Sequence, residues 1–356
     1  MKTISLKSLF LSLLLAILGG VMISAAAAVP MLPAAGGLFA ASLLPGQSGV
    51  FAMAVQKEIW INDIVGNLFK ANPHLNFAMN ADSFVLAGKV VHIPNAGSKP
   101  AVVKNRKNFP ATVTLRQDSD VTFSLDEYTS DPIKIENAEK YELSYDKRQS
   151  VIGEQSNAIA ELVGDWFLRY WAPTKADMIV RTTGLAVAAH MPSATGNRKK
   201  ITVADVKGMQ KLFNKNNIPK DGRVAILDAD MYDQLTDDMT ATQYRDFSQY
   251  LNVENGTVGK LYGFTFLDSR STVLNYTNAA TPVPKDPDAN GATTDNAAGL
   301  FWHRDLVVRA LGEKEFFDNE GDPTHYGDIY SALVRAGGRI KREDGKGVYA
   351  LVQASA

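Results

Sequence analysis

The sequence predicts an α+β protein organised around one long helix. Three observations carry this: a helical pattern about seven turns long over 146–170, a β-branched, turn-rich stretch before it, and a mixed helix–strand region after it. Within 146–170, Val151, Ile152, Gln155, Ile159, Leu162, Val163, Trp166, Phe167 and Tyr170 recur at steps of three and four, the spacing of one helix face. Lys147, Glu154 and Glu161 fall on the other side. Asp146 is the expected cap, with Gln149 three residues on for the reciprocal bond. Ala172, before Pro173, is pushed out of helical geometry and ends the run. Gly153 and Gly164 each weaken a helix by about 1 kcal/mol relative to alanine, so they predict close backbone approach. The expected partners of the apolar face, Trp166 included, are the tail strands of 299–341 and the strand at 177–181.

A chain of 356 residues is long enough for two or three packed units. Its net charge of −1 gives the whole chain no electrostatic reason to seek a polyanion, so any such contact must come from a local patch. The absence of cysteine excludes disulfides, thiolate metal sites and a cysteine nucleophile.

The N-terminus departs from this ordinary composition. Lys2 and Lys7 precede an apolar run to Ile23 and an alanine cluster at 25–28, the pattern of a secretory signal peptide. A single membrane anchor and an unprocessed apolar leader trimmed during assembly are the competing readings. Pro30, Pro33, Gly36-Gly37 and Pro45-Gly46 mark a linker behind it.

A short amphipathic helix is expected over 55–70, ended by Asn72-Pro73. From Phe84 to Ile135, short β-branched segments alternate with turn chemistry, and Thr112 to Arg116 alternates as a half-buried strand should. Few large apolar residues occur there, so this ribbon is expected to lean on something else. After the long helix, DMIVRTTG reads as a strand and GNRKK as a loop. TVADVKGMQKLFNKN reads as a helix capped by Thr202, and RVAILDADMYDQL as a buried strand running into a helix. GKLYGFTFLDSR reads as one strand with Gly263 at a bulge or close approach. An exposed loop is expected over 275–296, then strands from Gly299 with turns at NEGDP and REDGKG.

Candidate chemistry is thin. His303-Arg304-Asp305-Leu306 resembles a kinase catalytic-loop opening, but the metal-binding asparagine and a glycine-rich loop are missing. Asp228 and Asp230 could hold a metal, although an aspartate capping the following helix is the commoner reading. The five histidines show no pair at helical ligand spacing. No active site, metal or cofactor is expected. The remaining charged features are a basic cluster, Lys99, Lys104, Arg106 and Lys107, and the acidic stretch Asp118, Asp120, Asp126, Glu127 and Asp131. They read either as solvated hairpin faces or as complementary contacts between subunits, which would fix register more than add stability.

An amphipathic arm, a long β-ribbon, a spine helix, a mixed domain and a strand-rich tail, in that order, resemble the major capsid protein of tailed bacteriophages, with its Hong-Kong-97-type fold. The phrases GRVAILDADMYDQL, GKLYGFTFLDSR, GLFWHRDLVVRAL and ALVRAGGRIKREDGKGVYALVQ resemble family segments in the same order, over roughly 55–353. The resemblance implies a leader and linker (1–54), an N-terminal arm (55–83), an extended β-loop laid over a neighbour (84–136) and a peripheral domain (137–200) with its spine helix. It further implies a mixed α/β axial domain (201–298), return strands (299–345) and a closing strand (346–356).

It implies a structural protein, not an enzyme, that forms hexamers and pentamers of an icosahedral shell around double-stranded DNA contacted without sequence specificity. A scaffold, portal, maturation protease or decoration protein would be further partners, and the mature protein would keep no stable membrane association. Location follows as the virion, after assembly in the bacterial cytoplasm. The apolar leader departs from the family's charged scaffold segment and keeps an alternative open, an exported periplasmic or surface binding protein. A second alternative is a metal enzyme or hydrolase using Asp228 and Asp230. No inter-subunit cross-link can be carried over, because its asparagine and helper acid have no counterpart identified in this sequence.

Overall fold

The computed structural model describes residues 61–86, 89–95, 102, 104–107, 110, 119–136, 147–252 and 256–356. The chain divides into two compact units, 1–65 and 66–356. Residues 61–71 are helical, and all that follows lies in the second unit.

Continuous apolar runs make the central strands of the larger sheet. Asn296–His303, Val348–Val352 and Arg223–Ile226 are buried at every position, as strands covered on both faces must be. Seven strands run in the order 257–261, 264–267, 223–226, 296–303, 348–352 and 179–181, with 274–276 added alongside 296–303. On one face Ala225, Phe266, Phe301 and Tyr349 meet three short helices, Val203–Lys215, Ala229–Asp238 and Ala241–Ser248, through Val206, Met209, Phe213, Met231, Leu235 and Phe247. Each helix starts where its cap dictates. Thr202 and Asp205 form a reciprocal capping box, Thr240 and Gln243 another, and the Asp228 carboxylate accepts from the Met231 amide at 2.7 Å. On the opposite face Trp302 packs against Trp171 at 5.9 Å between ring centroids and donates to the Phe77 carbonyl at 2.8 Å.

A second sheet is built on the long hairpin of Val307–Asp322 and Gly327–Ile340, with 79–80 on one edge and 126–129 and 133–136 on the other. Burial alternates along most of 327–340, the period of a sheet with one covered face. The spine helix, Lys147–Trp171, covers it. Gly338 makes room for that helix, because a Cβ there would come within 3.0 Å of both Phe167 and Trp171.

Several expectations are corrected. The buried stripe of the spine helix is rotated: Ser156, Ala160, Gly164, Leu168 and Trp171 join Val151, Gln155, Ile159, Val163 and Phe167, while Leu162 is 43% exposed and Trp166 and Tyr170 are half-buried. Side-chain hydrophobicity alone points at the large residues, but here small residues are buried because the arm lies against them. Gly153 is exposed with nothing near it, so only Gly164 marks a close approach. The strand at 179–181 pairs with 350–352 in the larger sheet, not with the sheet under the helix.

GKLYGFTFLDSR is a hairpin, not one strand. Tyr262 and Gly263 both take positive φ, 48° and 82°, the two-residue turn whose twist suits antiparallel strands. GLFWHRDLVVRAL is broken at Arg304–Leu306, where a single turn hands the chain from one sheet to the other. Within GNRKK, Asn197–Lys199 is a strand paired with 186–188. The loop expected over 275–296 begins and ends buried, with Tyr276, Asp295 and Asn296 fully enclosed.

The ribbon also divides. Strands 85–86, 90–95 and 119–124 form a small sheet whose few apolar residues, Val91, Ile93 and Val121, close against Val308 and Ala310 of the long hairpin. Strands 126–129 and 133–136 instead belong to the second sheet. The expected strand at Thr112 to Arg116 and the cap Asp146 lie outside the described residues.

Candidate assembly elements

The arm meets the spine helix at a polar lock. Asn72 ends the first helix and is 1% exposed. Its Nδ2 donates to the Ala160 carbonyl at 2.7 Å and the Leu68 carbonyl at 3.0 Å, while its Oδ1 accepts from Arg270 Nη1 at 2.6 Å. A Cβ at Gly164 would overlap that carboxamide. The other Arg270 nitrogen donates to Asp165 Oδ1 at 2.6 Å, so one guanidinium ties arm, spine and the segment after the 264–267 strand. Desolvation raises the Asp165 carboxyl above its ordinary range, with Arg270 opposing and Glu161 adding to the rise. Beside it His74 Nε2 lies 3.2 Å from the Gly164 carbonyl, so that nitrogen carries the proton and donates. Burial, and then the Arg270 charge, push this imidazole down to about 3.

This lock was not singled out from the sequence. Asn72-Pro73 signals only a helix end, and nothing local ties it to Arg270 almost two hundred residues away.

At the other flank the half-buried aromatics engage the acidic strand. Tyr170 donates to Asp126, and the Tyr128 and Tyr170 hydroxyls lie 2.8 Å apart. Desolvation pushes the Tyr128 hydroxyl up to about 12 and raises that of Tyr170 as well. Glu127 pairs with Arg335 at 2.9 Å, and Arg335 also reaches Glu313 at 3.5 Å. Asp120 meets His92 at 2.8 Å. Three of the acidic candidates therefore have partners in their own chain. Lys104, Arg106 and Lys107 are exposed and form no ion pair among the described residues, and Lys99 and Asp118 lie outside them.

Two of the chemical candidates, Asp228 and His303, have structural partners. Asp228 is fully buried, caps the 229–238 helix and meets His190 Nε2 at 3.1 Å, whereas Asp230 is exposed. His303 Nδ1 accepts from the Asp305 amide, and its Nε2 bonds the Asp221 carbonyl at 2.7 Å. Among the described residues no cluster of His, Asp and Glu could hold a metal, and no helix is long and apolar enough to cross a membrane.

No curated protein matches the chain in sequence. A family model described as phage capsid protein matches residues 170–324. Among solved structures, the fold is shared with the capsid of cyanophage P-SCSP1u (TM-score 0.56, 16% identity, covering 79% of this chain and 87% of that one). The capsid of Ralstonia phage GP4 matches with TM-score 0.56 at 12% identity, over 79% and 87% of the two chains. The head structure of Helicobacter pylori bacteriophage KHP40 matches with TM-score 0.52 at 13% identity, over 79% and 90%. The spine helix, the long hairpin and the helix-covered sheet are thus the parts of a Hong-Kong-97-type fold shared with these capsids, and residues 170–324 match the phage capsid protein family within it.

Proposed function

We propose that the chain assembles into hexamers and pentamers of an icosahedral shell enclosing double-stranded DNA, and that it is structural and not catalytic. The observation that carries the reading is the phage capsid family match lying on a capsid fold. The small sheet of strands 85–86, 90–95 and 119–124 supports it: among the described residues its buried apolar side chains are few and cluster with Ala81, Leu125 and the long hairpin's Val308 and Ala310, so such a sheet gains by lying on further surface. The arm, 55–83, and the axial domain, 201–298, are assigned their roles on the same reading. So are Lys99, Lys104, Arg106, Lys107 and Asp118 as contacts between neighbours, and Asp120 where it gives up its His92 partner. Asp126 and Glu127 would join them only by exchanging their Tyr170 and Arg335 partners. The virion is the proposed location, after assembly in the host cytoplasm, with a scaffold, portal, protease or decoration protein as further partners.

Electron microscopy of the expressed protein, with mass spectrometry of its N-terminus, tests this. Shells or capsomers are expected. A strictly monomeric protein under assembly conditions, recovered with its leader cleaved from the periplasm, would favour the exported binding protein.

A further inference from the structure

Two of the helices over the larger sheet carry exposed stripes of opposite charge. On Val203–Lys215, Lys207, Lys211 and Lys215 recur every fourth residue and are all exposed. On Ala229–Asp238, Asp230, Asp233 and Asp237 occupy one exposed face. Among the described residues none of the six forms an ion pair. Like charges at this spacing weaken their own helix, and Asp237 stands in a last turn, where the dipole disfavours an anion. The link between the two helices within the chain is made by other groups: Lys200 meets Asp238 at 3.5 Å, and the Val203 amide donates to Asp238 at 2.9 Å.

The lysine-bearing helix has a second unexplained feature. Gly208 sits in its middle and is exposed, and a Cβ there would meet nothing within 4 Å. Glycine weakens a helix at such a site, and nothing among the described residues needs the space. Ala204 lies one turn earlier, also exposed. A face with small residues beside a row of cations admits another helix at close range.

We infer that the Lys207, Lys211 and Lys215 stripe of one copy docks on the Asp230, Asp233 and Asp237 stripe of a second copy. The spacings agree: successive lysines stand about 6 Å apart along the axis, as do Asp233 and Asp237. The surfaces are different ones, so the contact is head-to-tail and closes into a ring if the rotation permits. A polyanion could also satisfy the lysines, but it would leave the aspartates unanswered, whereas a second copy satisfies both. The inference rests on the capsomer reading above and names the contact that would hold neighbours in register.

The test uses the full-length chain and native mass spectrometry of its rings at low salt, with circular dichroism to check folding. K207E/K211E/K215E and D230K/D233K/D237K should each lower the ring population about tenfold or more, since like charges then face one another. The six-substitution chain should regain rings. Mixing the two triple variants should give even-numbered rings but no five-membered ones, because subunits can then only alternate. Rings formed by the lysine variant at the wild-type level would overturn the inference and leave the capsomer reading standing. So would a folded six-substitution chain that fails to regain them. Normal rings with lost retention on a duplex DNA probe would also overturn it and assign the lysines to nucleic acid. A wild-type chain that forms no rings overturns the capsomer reading and this inference with it.

Discussion

The carboxamide of Asn72 occupies the space that a side chain at Gly164 would need. It has no freedom to move away, because its oxygen is held by Arg270 and its nitrogen by the Ala160 and Leu68 carbonyls. Gly164→Ala would gain about 1 kcal/mol of helix propensity, but overpacking costs about 1–3 kcal/mol and more where the neighbour is pinned. Net destabilisation of about 1–2 kcal/mol is expected. Gly153→Ala meets nothing and should stabilise by up to about 1 kcal/mol. Denaturant unfolding of the pair reads both signs, and equal effects would contradict the lock.

The contrast between these glycines also shows what was legible in the sequence. The spine helix, its end before Pro173 and the caps at Thr202 and Asp228 follow from local chemistry, and these positions match the structure. Which face of the spine is buried depends on what comes to lie on it. Ser156, Ala160 and Gly164 are buried by an arm some ninety residues away, and no periodicity of large apolar residues encodes that. The Tyr262-Gly263 hairpin was hidden because tyrosine rarely takes a positive φ. The long strands of the tail were legible as strands, but not their division between sheets, which is decided by pairing partners distant in sequence.

Trp171 and Trp166 should respond differently to truncation. Trp171 is fully buried, donates to the Val308 carbonyl at 3.0 Å and packs on Phe167, His74 and Trp302. Trp171→Ala is expected to cost about 3–5 kcal/mol. Trp166 is half-buried and packs on Tyr170, so Trp166→Ala should cost well under half as much. Melting temperatures of the two variants check the order, and a reversed order would place the buried stripe on the other side of the helix.

Arg270 is expected to couple more strongly to Asn72 than to Asp165. The Asn72 contact is buried, and a hydrogen bond with one charged partner contributes about 1.5–3 kcal/mol there. Asp165 keeps a third of its side chain exposed, where ion pairs yield about 0.2–1 kcal/mol. Double-mutant cycles built from Arg270→Ala with Asn72→Ala, and with Asp165→Ala, measure the two coupling energies. A larger coupling to Asp165 would mean that the ion pair, not the carboxamide, holds the arm.

His74 should make stability sensitive to mild acid. In the unfolded chain its imidazole titrates near 6.5, and in the folded chain burial and Arg270 hold it down to about 3. Between those values the unfolded state binds a proton that the folded state refuses, so stability falls as pH falls. The slope approaches about 1.4 kcal/mol per pH unit below 6.5 and vanishes near the folded value, while above 6.5 the group contributes no pH dependence. His74→Gln keeps a donor for the Gly164 carbonyl but cannot titrate, so its stability should fall less steeply across this window. Unfolding free energies of the two proteins from pH 7 downward give the comparison, in which all other acid-sensitive groups cancel. Parallel curves would show that His74 is protonated in the folded chain and that the pocket between arm and spine admits its charge.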